Sequence, residues 1–142
     1  MSSENIILHD LIGIKFANGG RDKATGFDCW GLVLEVFRRF GYDLPDYKVS
    51  CEARPEIDGT IQQNKPFWKK IELGKLSVPA LLVIRFNSPN LCNHTGVYIG
   101  NGRFIHTRQR TGVVIEDIES PAWRHVIEGF YIPKGEALEC QK

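Results

Sequence analysis

Gly26-Phe27-Asp28-Cys29-Trp30-Gly31-Leu32-Val33-Leu34-Glu35-Val36-Phe37-Arg38-Arg39-Phe40-Gly41 is the stretch from which the fold of this chain is read. Leu32, Val33, Val36, Phe37 and Phe40 recur at the spacing of one buried helical face, and Gly41 supplies a stop. Asp28 is a good N-cap, which places Cys29 in the first helical turn. There, unpaired backbone N–H groups and the positive end of the helix dipole favour a thiolate over a thiol. Ordinary packing also puts cysteines at such positions, because cysteine is among the most buried residue types. The rest of the chain has to decide between nucleophile and core residue.

Downstream the pattern changes to strands. Ala80 to Phe86 is a nearly unbroken apolar run suited to a central strand. It is followed by Thr95–Ile99, a Gly100-Asn101-Gly102 turn, Arg103–Thr107, Gly112–Ile115 and Gly129–Ile132. Helices first and an antiparallel sheet second make an α+β domain. Upstream, Ile6 to Ile14 reads as a first helix with Leu8, Leu11 and Ile12 on one face, and Ala17 to Gly26 as a polar, glycine-containing loop. Tyr42 to Lys75, with Pro45, Pro55, Gly59 and Pro66, reads as loop with one or two short helices. Within it Phe67 and Trp68 either wall a cleft or fill core, and core is the commoner use of aromatics.

The hairpin brings two histidines together. If Ile99 and Arg103 flank a three-residue loop, His106 falls opposite Gly96 and becomes a diagonal neighbour of His94. Both imidazoles then share one face, with Cβ atoms roughly 7 to 8 Å apart and room for the rings over Gly96. A two-residue loop would put them on opposite faces. A lone strand histidine is ordinary structure, but two on one face, added to a helix-capping cysteine, supply a thiol with a base and that base with an orienting group. Cys92, His94, Cys29 and His106 could also ligate a metal, but only one close-spaced pair exists where zinc motifs carry two, so no metal or cofactor is expected. His9 and His125 lack comparable context.

The totals bound the partners. At 142 residues, with a net charge of +1, the chain is one domain without an electrostatic footprint for nucleic acid. The core is expected over about residues 6–133, with a polar tail from 134 to 142. No apolar stretch approaches a membrane span, and Met1-Ser2-Ser3-Glu4-Asn5 lacks the features of a signal peptide, which predicts cytoplasmic synthesis. Cys29, Cys51, Cys92 and Cys140 form no C-x-x-C pair and are expected as free thiols.

Three segments carry a resemblance: Phe27-Asp28-Cys29-Trp30-Gly31-Leu32-Val33, His94-Thr95-Gly96-Val97-Tyr98-Ile99-Gly100 and Gly102-Arg103-Phe104-Ile105-His106. Together they resemble the NlpC/P60 cysteine peptidases that cut bacterial cell-wall stem peptides. Trp30, with Gly41-Tyr42-Asp43-Leu44-Pro45-Asp46-Tyr47, is similar to the branch found in bacteriophage tail-assembly proteins. The resemblance implies a papain-like fold, with Cys29 as nucleophile, His94 as general base and His106 as the orienting third residue. It further implies a peptidoglycan stem peptide as substrate, cut at the γ-D-glutamyl bond, usually before diaminopimelate. Asp28, Trp30 and Gly96 would line the substrate site, Asp28 serving as cap alone or as cap and substrate contact. Phage tail proteins are a further implied partner, with no integral membrane contact. Phe16 stands where many members carry a tyrosine whose hydroxyl serves the oxyanion hole. This leaves two other readings open: a tail-tip assembly protein that binds without cutting, and an amidase or acyltransferase on another substrate.

Overall fold

A computed structural model describes residues 6–48, 54–85 and 92–134. A two-stranded hairpin, β1 (Arg21–Asp22) and β2 (Gly26–Phe27), runs into α1 (Cys29–Arg39). Then come α2 (Arg54–Asn64), β3 (Trp68–Ile71), β4 (Ala80–Ile84), β5 (His94–Gly100), β6 (Arg103–Arg108), β7 (Gly112–Asp117) and β8 (Ile127–Pro133). The last six strands form one antiparallel sheet in the order β3-β8-β4-β5-β6-β7. This is the expected α+β architecture.

Side-chain alternation divides the core between the two faces of the sheet. Leu81, Val83, Val97, Ile105 and Val113 pack with Leu32, Val33, Val36 and Phe37 of α1. Leu82, Ile84, Phe104 and Phe130 face the other way and are covered by Ile118 and Trp123 from the β7–β8 connection. Every residue of β4 is buried, as expected for a strand covered on both sides and read as an apolar run.

Three expectations are corrected. Ile6 to Ile14 is not a helix but a single 3₁₀ turn, His9–Leu11. Its backbone pairs with β7 instead, Gly13 N–H donating to Val113 O (2.9 Å) and Val113 N–H to Ile14 O (2.9 Å), so the bonds a helix would need are spent across the fold. The loop from Ala17 to Gly26 contains the β1–β2 hairpin. Among the described residues, the stretch from Tyr42 to Lys75 holds the expected short helix, α2, but also β3, which pairs with β8 from Trp68 opposite Pro133 to Ile71 opposite Phe130. β3 is an edge strand whose Lys69 and Lys70 are exposed, charges that discourage edge-to-edge pairing with another sheet.

Candidate active site

Helix α1 begins at Cys29, as its capping signal requires. Asp28 is in the extended region and accepts the Gly31 N–H at 2.7 Å. Its carboxylate also takes the Gly19 N–H (3.0 Å) and the Arg21 guanidinium (2.6 Å), and Arg21 reaches on to both oxygens of Asp46. Asp28 is fully buried beneath these three donors. The cap, the hairpin and the helix thus form one unit. Gly31 completes it: a Cβ there would lie 2.0 Å from the Gly20 carbonyl oxygen, so only glycine lets the hairpin press onto the first helical turn.

The imidazole side is built by register. Val97 faces Ile105 and Tyr98 faces Phe104, which carries His106 opposite Gly96, and a bulge absorbs the odd residue at Gly100. The two rings meet as the three-residue count predicts, with His94 Nε2 and His106 Nδ1 2.9 Å apart. A Cβ on Gly96 would lie 3.0 Å from Ile105 O and 3.2 Å from His106 Cβ, so glycine here makes room for the pair. His106 is fully buried, with Phe104 and Trp123 ring centroids each 4.7 Å away. On its far side His106 Nε2 meets Glu116 Oε2 at 2.6 Å. Burial first, and the neighbouring His94 second, hold His106 well below the ordinary imidazole value, against the pull of Glu116. Burial pushes the Glu116 carboxyl up, but hydrogen bonds from His106 and Trp123 outweigh it and leave it below the usual carboxylate range.

Thr95, next after His94, turns to the α1 side and lines the same groove as Cys29. The cysteine and the imidazole chain therefore approach the start of β5 from two sides. The groove, about 620 Å³ including its open mouth, is walled by Trp30, Trp68, Leu81, Val83 and Tyr131. Thr60, Ile61 and Asn64, from the C-terminal part of α2, close one side. Trp30, expected at the substrate site, lines this groove, donates its indole N–H to Pro45 O (3.0 Å) and stacks on Tyr47 at 5.0 Å. Trp68 serves both as core and as groove wall, whereas Phe67 is largely exposed. Phe16 is half-buried, and its backbone bridges Phe27, in the strand that runs into Cys29.

Two residues of this cluster, Glu116 and Trp123, are not among the sequence-derived candidates. Glu116 had a signal: extending β7 past Ile115 makes it a diagonal neighbour of His106, by the same alternation that pairs the histidines. Trp123 had none, because it lies in an irregular connection. Among the described residues no group of three His, Cys, Asp or Glu side chains could hold a metal ion. Cys92 is a free thiol buried in the α1-side core, and burial pushes its pKa up. Cys51 and Cys140 lie outside the described residues. No helix among those described is long and apolar enough to cross a membrane.

A cysteine at a helix N-terminus, packed on an antiparallel sheet that carries an imidazole pair, defines a papain-like α+β domain. The NlpC/P60 family profile matches residues 13–131, and the chain belongs to that family. It is 31% identical over 116 residues (81% of this chain, 53% of the relative) to murein DD-endopeptidase MepS/murein LD-carboxypeptidase of Escherichia coli strain K12. Over 119 residues (83% of this chain, 32% of the relative) it is 29% identical to the bifunctional muramidase/DL-endopeptidase CwlT of Bacillus subtilis strain 168. The chain thus spans about half of MepS and a third of CwlT. Its fold is shared with the solved structure of NlpC1 from Trichomonas vaginalis, at TM-score 0.66 and 20% identity, covering 92% of this chain and 43% of that one.

Proposed function

We propose that the chain is a cysteine endopeptidase that hydrolyses peptidoglycan stem peptides at the γ-D-glutamyl bond, in the setting of a phage or prophage tail. The observation that carries this reading is the His94–His106 bond at the start of the strand against which the Cys29 helix packs. Cys29 attacks the carbonyl after passing its proton to His94, and the oxyanion is held by backbone N–H groups at the start of α1. His94 then protonates the leaving amine, and water hydrolyses the thioester with His94 again as base. His106 orients His94 throughout. The peptidase names of MepS and CwlT support the substrate class, and the DL-endopeptidase name of CwlT supports the bond. The tail setting rests on Trp30, Pro45 and Tyr47, which carry the tail-assembly resemblance and pack as one unit.

Digestion of purified peptidoglycan followed by mass spectrometry of the released muropeptides tests the proposal. Fragments ending in γ-D-glutamate, lost with Cys29→Ala, are expected; D-alanyl cleavage would reassign the bond, and unchanged profiles across several pH values would overturn the activity. Phe16 favours one competitor, a tail protein that binds without cutting. It is tested by alkylation: a poised Cys29 reacts with iodoacetamide below pH 7 far faster than Cys51, Cys92 or Cys140, and equal rates would support binding.

A further inference from the structure

The imidazole pair does not end at His106. Its outer nitrogen meets a carboxylate, and that contact has a consequence for His94, two bonds further along the chain of rings. We propose that Glu116 is a positioning residue: by accepting the His106 Nε2 proton it sets both histidines in the Nε2–H tautomer and so keeps the lone pair of His94 on Nδ1. This rests on the reading of His94 as the general base.

An ionised carboxylate has only acceptor sites, so at 2.6 Å the His106 Nε2 must carry the hydrogen. A neutral imidazole has one N–H, which makes His106 Nδ1 an acceptor. His94 Nε2, 2.9 Å away, must then be the donor, and the basic nitrogen of neutral His94 is Nδ1. The reverse order would need a protonated Glu116 or a doubly protonated His106. Full burial of His106 against Phe104 and Trp123 opposes the second, as do the neighbouring His94 and Arg108. The groups that bear on Glu116 from the adjacent elements, His106, Trp123 and Arg108, all favour its ionised form.

During acylation the Cys29 proton passes to His94 Nδ1, while the His94 Nε2–H goes on donating to His106 and Glu116 takes up no proton. The carboxylate therefore acts on the imidazolium through its charge and by keeping the middle ring from turning over. Its side chain is 32% exposed, so it can be replaced without leaving a buried charge alone.

The test is ¹⁵N NMR of the imidazole rings of the full chain, with the pH dependence of Cys29 alkylation followed by mass spectrometry. In the wild type both histidines are expected to keep Nε2–H between pH 7 and 8, with Nδ1 of His94 the site that gains or loses the proton exchanged with Cys29. In Glu116→Ala, His106 is expected to divide between tautomers, with His94 gaining Nδ1–H. Glu116→Gln keeps shape and an acceptor but loses charge, and should lower the upper, imidazolium limb of the alkylation profile by about one pH unit; Glu116→Asp should restore most of it. For turnover, Glu116→Ala is expected to reduce kcat about 10-fold with little change in KM, less than the ~10⁴-fold seen when a carboxylate orients the catalytic ring directly. A wild-type His106 in the Nδ1–H form, or tautomers and alkylation limbs unmoved in folded Glu116 variants, would overturn the proposal. If the ring signals respond as expected while peptidoglycan stays intact, the tautomer assignment stands and the peptidase reading falls.

Discussion

The two halves of the site are each anchored by a carboxylate, and they are anchored differently. On the cysteine side, Asp28 is fully buried and takes three donors from residues close to it in the chain, Gly19, Arg21 and Gly31. On the imidazole side, Glu116 is partly exposed and is held by His106 and Trp123, the first of which reaches it only because β6 and β7 pair in register. The first arrangement is local and rigid, so it positions a backbone: the start of α1. The second is assembled from separate strands and positions protons. A nucleophile needs the former, a base the latter.

Cys29→Ala should abolish peptide release, a loss of about 10⁴-fold or more in kcat, while circular dichroism and Tm stay near wild type, because the substitution removes a thiol and not an anchor. Asp28→Ala should act in the opposite way, leaving the Gly31 and Gly19 N–H groups unpaired; chemical denaturation is expected to show a stability loss of about 3 kcal/mol. If Asp28→Ala unfolds no more readily than wild type, the cysteine side is not held as described.

Acid should weaken the imidazole side. His106 has its folded value depressed from 6.5 to about 4, so the unfolded chain binds the proton first on acidification. Its contribution to stability is complete above pH 6.5 and is lost as pH falls toward 4; Glu116, also depressed, adds a loss below its ordinary value of 4.5. Tm measured from pH 8 to 4 should fall across that window in the wild type and fall less in His106→Gln. The smallest effect is a gain: Phe16→Tyr, adding a hydroxyl beside the strand that leads into Cys29, should raise kcat about 10-fold, part of the ~10²- to 10³-fold that one oxyanion donor is worth elsewhere. No change in kcat would mean that position 16 does not reach the oxyanion.

Legibility followed the range of the interaction. Asp28 as a cap and the apolar face from Leu32 to Phe37 are legible because a cap and a helical stripe are properties of neighbouring residues. The same holds for the hairpin that joins His94 to His106, whose register follows from one short loop. The N-terminal segment has the apolar spacing of a helix, while its backbone partner, Val113, lies about a hundred residues away. β3 leaves no such signal, because a four-residue edge strand has too few positions for its alternation to show.

By itself, the sequence determined Cys29, His94 and His106 as candidates for chemistry and the helix start and hairpin on which they sit, since period and capping are local. Only the tertiary structure decided what meets them: α2 closing the groove beside Cys29, Trp123 covering the buried ring of His106, the hairpin occupying Asp28, and Glu116 ending the imidazole chain. Those contacts join elements through long connections, and their partners are chosen by how the whole core packs.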